Sequence, residues 1–310
     1  MRVAITGATG FVGRRLCRVL TDAGHEVVAL VRPKPGRDVE ATRAKLGVAE
    51  VRAYDGFNPV STQGAIEGCE AVVNLAGENI LGGRWSDAFL EHCRASRVDT
   101  TAALVGAIEA MPERPRILLS ASAIGWYGAH EPEVEITETS NAGDDVLARM
   151  CIAWEDAATA AEAFDVRVVL LRIGIVLGEG GGALAKMETP FKFGVGGRIG
   201  HGRQVMSWVH LEDTVGMIRH ALEHDDVTGP LNVTAPAPVS NAELTKTFAK
   251  QLGRPAFLPV PGFALKLLFG RGAVVLTTGA RVLPVAAEQH GYAFAHPTLA
   301  GALADLYPRD

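Results

Sequence analysis

The segment Thr6-Gly7-Ala8-Thr9-Gly10-Phe11-Val12-Gly13 follows an apolar run, Val3 to Thr6, and leads into a helical pattern near Phe11 to Ala23. A glycine triplet at a strand-to-helix turn leaves a chain few choices. Gly7 permits the tight turn, Gly10 lets backbone approach a pyrophosphate, and Gly13 lets the helix pack on the sheet, while the helix N-terminus offers unpaired N–H groups to an anion. The context predicts a βαβ unit that holds a dinucleotide, with Gly7, Thr9, Gly10, Phe11, Val12 and Gly13 as cofactor contacts.

The chain keeps that rhythm beyond the first helix. Apolar runs at Glu26 to Val31, Val51 to Tyr54, Ala71 to Leu75, Arg116 to Ser120 and Val166 to Leu171 alternate with helical patterns, among them Ser86 to Ala110 and Asp145 to Phe164. Such alternation is the signature of an α/β fold with a parallel sheet covered on both faces. The expected architecture is a Rossmann-type doubly wound sheet with a smaller C-terminal substrate-side domain. Residues 1–178 should form the dinucleotide-binding domain, completed by about 205–235 through a strand at Val205 to Val209, a helix to His224 and a strand at Leu231 to Val233. The glycine-dense stretch 179–204 reads as a mobile lid. Beyond it Pro236, Pro238, Pro255, Pro259 and Pro261 punctuate an end region, 236–310, expected to be the second domain.

Composition excludes several classes. The chain has 310 residues, 48% of them hydrophobic, and a formal charge of −5 without a basic stripe, so no nucleic-acid partner is expected. MRVAITGATG enters a strand at once, without the features of a secretory leader, and no apolar run reaches the about 18 residues of a membrane span. A soluble cytoplasmic protein is expected. Cys17, Cys69, Cys93 and Cys151 never form C-x-x-C, which suits reduced, packed thiols better than disulfides or a metal site.

Val31-Arg32 ends the second strand with a cation where an NAD site usually carries an acid, so NADP(H) is the expected cofactor, with Arg32 at its 2′-phosphate. Arg14 and Arg15 either add charge there or are solvated. Asp55 is either a partner for the adenine amino group or an ordinary loop residue. Leu75, Ala76 and Gly77 end the fourth strand at the edge where ligands of open sheets bind, and their small size would let the cofactor lie close. SASAIGWYG, residues 120–128, ends the fifth strand there too. Hydride-transferring enzymes often place a serine and a tyrosine at that point as a proton relay, which makes Ser122 and Tyr127 catalytic candidates, joined by Glu78. Each has a structural counterpart: Ser122 bonding backbone, Tyr127 packing beside the cofactor, Glu78 capping the next helix. Cys151 is either near the substrate or an inert buried thiol. Lys186, Lys192, Arg198 and Arg203 outnumber the acids of the lid, which suits an anionic small-molecule substrate or merely a solvated loop.

TGATGFVG, NLAG, SASAIGWYG, LRIGIVLG, WVHLEDTV and PVSNAEL together resemble the extended short-chain dehydrogenase/reductases, the group of nucleotide-sugar epimerases and dehydratases. NLAGE, Arg84-Trp85, Trp154-Glu155, GGGALAKMETPFKFGVGG and LPVAAEQHGYAF extend the likeness over nearly the full length, to the atypical epimerase-like branch with a small C-terminal domain of unknown function. Phe269-Gly270-Arg271 departs from it, since an acid is expected after the glycine. The resemblance implies a Tyr-x-x-x-Lys pair on the helix after strand five. Counted back from Glu155, those places hold Leu147 and Cys151. It also implies an arginine for a sugar nucleotide's diphosphate four residues before His210, where Met206 stands. His210 and Asp213 match the family pattern but are expected to be structural.

The function expected is therefore an atypical NADP(H)-dependent reductase acting on a small carbonyl or conjugated molecule, with Tyr127 and Ser122 polarising it. A noncatalytic NADPH sensor is the alternative, and a nucleotide-sugar epimerase a third.

Overall fold

The early strands are continuous apolar runs, and because successive side chains point to opposite faces of a strand, such runs require a cover on both faces. The computed structural model describes residues 1–309 apart from 34, 35, 37, 257, 258, 261–264, 266, 268 and 269. Pro261 and Phe269 therefore lie outside the described residues. The strands are β1 (Arg2–Thr6), β2 (Glu26–Val31), β3 (Glu50–Ala53), β4 (Ala71–Asn74), β5 (Ile117–Ala123), β6 (Glu135–Ile136), β7 (Arg167–Ile173), β8 (Ile175–Leu177), β9 (Val205–Met206), β10 (Trp208–His210), β11 (Gly229–Val233), β12 (Val239–Ser240) and β13 (Arg281–Val282). Between them run α1 (Phe11–Asp22), α2 (Val39–Leu46), α3 (Pro59–Ile66), α4 (Asp87–Ala95), α5 (Val98–Glu109), α6 (Val146–Thr159), α7 (Gly182–Lys192), α8 (Leu211–Glu223) and α9 (Asn241–Leu252).

Seven strands form one sheet in the order β11-β7-β5-β4-β1-β2-β3, every neighbour parallel. The doubly wound sheet expected from the sequence is what the chain forms. Val3, Ile5, Val27, Ala29 and Val73 pack toward Leu16 and Leu20 of α1 and Ile218 of α8. Ala4, Val28, Leu30 and Val72 face the other way, toward Leu104 and Ile108 of α5. The chain grows outward from β1 in one direction and from β4 in the other, so the crevice beyond their carboxyl ends is the switch point at which such sheets bind ligands.

Three expectations change. The segment Ser86 to Ala110 is two helices, not one. Ser96 breaks it: its Oγ donates to Cys93 O at 2.8 Å and accepts from Glu78 N at 3.0 Å, a local alternative to helical bonding that leaves Arg97 at φ −112°, ψ −64°. The stretch 179–204 is not a plain glycine loop but contains α7, whose Leu184 and Phe191 are buried with Trp208 of β10 and Phe248 of α9. Its glycines make room for an aromatic ring, because a Cβ at Gly178, Gly181 or Gly182 would press on Phe11. Val205 to Val209 is split between β9 and β10, which pair with β12 and β8 and stay out of the main sheet.

The end region is tied to the rest by buried polar bonds. β13 pairs with β6, and Ser207 Oγ donates to Ala280 O at 2.7 Å while accepting from Val282 N at 2.9 Å. On the surface, Arg271 pairs with Asp87 at 2.9 Å, at the position where the resemblance implied an acid. Asp213, fully buried in the first turn of α8, accepts from Ala295 N at 2.8 Å, His296 N at 2.9 Å and Tyr292 Oη at 3.0 Å. Such a carboxylate is a clamp on the chain end. No helix among the described residues is long and apolar enough to cross a membrane.

Asp213→Ala leaves two backbone N–H groups without their acceptor and Tyr292 Oη with only the Asp213 carbonyl, at 3.3 Å. Each such loss costs about 1–3 kcal/mol, so urea unfolding should show a destabilisation of roughly 3 kcal/mol or more, with the amides of Ala295 and His296 exchanging first.

Candidate functional site

The switch point holds a cleft of about 200 Å³. Gly7, at φ +66°, turns the chain there, and a Cβ on it would come within 2.6 Å of Leu75 O, so only glycine lets the first loop lie against the end of β4. Thr6 locks the same junction. Its Oγ1 donates to Asn74 Oδ1 at 2.7 Å and accepts from the N–H groups of Leu75 and Ala76, each at 3.1 Å. Asn74 in turn donates to Thr101 Oγ1 at 2.9 Å, tying α5 to the sheet.

Gly7, Thr9 and Gly10 lie on the cleft wall with Arg32, Leu75, Ala76 and Gly77. The N-cap of α1 is Gly10, and no side chain caps the helix, so its first-turn N–H groups at Phe11, Val12 and Gly13 are free for an anion. Those three contribute backbone alone: the Phe11 ring packs on the glycines before α7, Val12 packs on the core, and Gly13 lies so close to Gly7 O that a Cβ would overlap it. These features fit a dinucleotide: a glycine cradle that a side chain would fill, an uncapped helix, and a cation at the end of β2.

Around this frame the open alternatives resolve. Arg15 is held by Glu212 of α8 through two contacts of 2.6 Å, while Arg14 is exposed. Asp55 is exposed and takes no part in the wall, whereas Tyr54, one residue earlier, does. Ser96 and Thr100 complete the wall from the break between α4 and α5.

Past Leu75, Ala76 and Gly77 the cleft opens into a cavity of about 450 Å³. Its walls are the end of β5, the inner face of α6 with Met150 and Trp154, the turn after β7, and Val274 to Ala280 of the end region. Leu147 and Cys151 stand in it, at the places where the resemblance implied the tyrosine and lysine. Burial pushes the Cys151 thiol up to about 12, so it stays a protonated, inert group at neutral pH. Met206 is buried in the apolar cluster of α9 and is not in the cavity wall, so no phosphate anchor stands there.

Tyr127 is not in the cavity. It is completely buried, its hydroxyl donating to Asn232 Oδ1 at 2.7 Å and accepting from Arg172 Nη1 at 2.9 Å. Burial raises its pKa, opposed in part by the Arg172 charge. Arg172 itself forms a bidentate pair with Glu155, at 2.9 and 2.7 Å, and stacks 3.6 Å from the centre of the Trp126 ring. The catalytic role expected of Tyr127 is therefore corrected: its proton serves a buried structural network. Ser122 does line the cavity, but its Oγ donates to Glu155 Oε1 at 2.6 Å. With that proton occupied it can accept a hydrogen bond from a ligand and cannot polarise a carbonyl, which corrects the second role. Glu78 fails for another reason, since its carboxylate points to the surface, 3.7 Å from exposed His92.

Arg97 is the cavity residue that sequence reasoning missed. It sits at the break in the helix, over Trp154 at 5.3 Å, and that break has no signature in the sequence. Arg172 did have a signal: a charged residue inside an apolar strand must find a buried partner.

Residues 3–234 match the model of the NAD dependent epimerase/dehydratase family, and residues 260–306 match a domain of unknown function, DUF1731. The chain is 40% identical to the chloroplastic epimerase family protein SDR39U1 homolog of Arabidopsis thaliana, over 98% of this chain and 86% of that protein. Epimerase family protein YfhF of Bacillus subtilis is 37% identical over 99% of this chain and 98% of its own. The crystal structure of human epimerase family protein SDR39U1 (isoform 2) with NADPH superposes with a TM-score of 0.87, at 36% identity and 99% coverage of both chains.

Tyr127→Phe removes a buried donor, leaving Asn232 Oδ1 without it and Arg172 Nη1 with one acceptor fewer. Thermal or urea unfolding should register a loss of about 1–3 kcal/mol, while titrated nicotinamide cofactors bind as before. A weakened cofactor with unchanged stability would put the phenol back in the site.

Proposed function

The chain belongs to the NAD dependent epimerase/dehydratase family, and from that premise we propose that it is an NADP(H)-dependent oxidoreductase whose small-molecule substrate occupies the apolar cavity. The observation that carries this reading is the junction at Leu75, Ala76 and Gly77, where the cofactor cleft and the cavity share one wall. Backbone N–H groups of α1 would hold the pyrophosphate, and Arg32 the 2′-phosphate. NADPH in the human relative supports this choice of cofactor. Bound there, NADPH supplies a hydride.

The chain's own part is then to orient, to exclude water and to leave the proton to solvent. Met150, Trp154, Val274 and Val275 wall off the cavity, and Ser122 offers an acceptor at the end of β5. No tyrosine–lysine relay assists, since Leu147 and Cys151 take those places. That arrangement suits an electron-poor carbonyl or conjugated acceptor that needs no acid at the moment of hydride transfer. A nucleotide sugar has no diphosphate anchor at Met206. The four cysteines are all free and buried, which suits a reducing compartment such as the cytoplasm.

The engaged protons of Tyr127 and Ser122 also favour a second reading, a noncatalytic NADPH-binding protein. Following NADPH absorbance over a panel of carbonyl and conjugated compounds separates the two: turnover on any of them supports the oxidoreductase, and none across the panel, with cofactor bound, supports the binding protein.

Arg32→Ala should weaken NADPH roughly ten- to a hundredfold and leave NADH nearly unchanged, as expected for a charge-assisted contact worth about 1.5–3 kcal/mol. Fluorescence titration of both cofactors reads this directly, and equal losses would remove Arg32 from the 2′-phosphate.

A further inference from the structure

Among the described residues of the cavity wall, the side-chain N–H and O–H groups are spent on the protein itself with one exception. Ser122 donates to Glu155, Trp154 Nε1 donates to Thr101 Oγ1 at 3.0 Å, and Thr278 Oγ1 donates to Val274 O at 2.8 Å. Arg97 is the exception. A guanidinium carries five N–H groups, and three are used: Nη1 on Cys93 O at 3.0 Å and Ser96 Oγ at 3.4 Å, Nη2 on Glu78 O at 2.7 Å. Nε and the remaining Nη2 hydrogen have no acceptor among the described residues.

All three acceptors are neutral. Among the described residues no carboxylate lies within ion-pair distance of Arg97, and burial lowers its pKa. Asp145, the acid in the same wall, is turned to another task, its Oδ1 accepting from Leu147 N and Ala148 N at the start of α6. Glu78 acts on Arg97 only from beyond ion-pair distance, and a half-buried cation with an apolar ring behind it and no carboxylate in contact is a ready receptor for an anion. Its position agrees with this, because a Cβ at Gly77 would lie 3.4 Å from Arg97 Cζ, so the guanidinium lies directly under the junction of cleft and cavity.

Several arginines of this chain meet a carboxylate edge-on through the Nε–Nη2 edge. Arg15 takes Glu212 through it and Arg172 takes Glu155 through it, each bidentately. In Arg97 the Nε end of that edge is open.

We infer that the substrate of this cavity is a small apolar carboxylate, its anionic end held by Arg97 and its body against Trp154 and Met150. The inference rests on the oxidoreductase reading and narrows its substrate class.

The test uses the full chain saturated with NADP⁺ and three acid–amide pairs as probes: cinnamate with cinnamamide, benzoate with benzamide, hexanoate with hexanamide. Calorimetric titration should show at least one acid bound tenfold or more tightly than its amide. Arg97→Met should erase that preference while NADPH affinity stays within about twofold, and Arg97→Lys, which keeps a cation without the planar edge, should retain part of it. Absence of an acid preference in all three pairs overturns the inference without recourse to a variant. So does an Arg97→Met protein that keeps the preference, or one that loses NADPH instead, which would assign Arg97 to the cofactor. Failure of the oxidoreductase reading is seen separately, as wild-type protein that binds the acid but never transfers hydride.

Discussion

The buried pair of Glu155 and Arg172 organises the half of the molecule that faces the substrate. It joins α6 to β7, and each partner reaches further. Glu155 takes the Ser122 proton at the end of β5, and Arg172 holds the Tyr127 hydroxyl, whose own proton goes to Asn232 on β11. Both charges are almost fully buried, with 4% of the Arg172 and 7% of the Glu155 side chain exposed. Removing one partner from such a pair typically costs about 3–5 kcal/mol because the other is left uncompensated. The network is therefore a fixed frame, and it settles which hydroxyls remain for chemistry.

The consequence runs against the family's usual division of labour. Where the resemblance implied a phenol and an ammonium, the cavity has a leucine and a thiol held protonated by burial. The tyrosine that is present in SASAIGWYG serves as a bracket between a loop and two strands. Polar capacity has moved to Arg97, at the other wall, on a helix break that exists because Ser96 bonds locally to Cys93 and Glu78. A cavity so lined is largely apolar and donates few protons, which suits the proposed transfer to an acceptor already short of electrons.

Glycines serve the fold in two different ways. In the first loop they bring backbone onto backbone, Gly7 against Leu75 and Gly13 against Gly7, and so shape an anion cradle. Before α7 they clear a space for one side chain, Phe11, which anchors the start of α7 to the first helix of the sheet. The cofactor loop and the α7 segment are thus mechanically continuous, although α7 lines neither the cleft nor the cavity.

Much of this was legible in the residues themselves. Apolar runs alternating with helical patterns, the glycine triplet and the order of strands and helices determined the doubly wound sheet, the cofactor cleft and the cation at the end of β2, because each depends on local geometry repeated along the chain. The glycine density of 179–204 misled for the same reason: composition reports backbone freedom and says nothing of the aromatic ring that the glycines accommodate. The proton inventory of the site was beyond reach. Whether Ser122 and Tyr127 face a ligand or a buried ion pair depends on partners 33 and 105 residues away. The exposure of Arg97 depends on a helix break made by two side-chain bonds. Local pattern decides where a backbone goes. Only the packed structure decides where each hydroxyl sends its proton, since that depends on which acceptors folding brings within hydrogen-bonding reach.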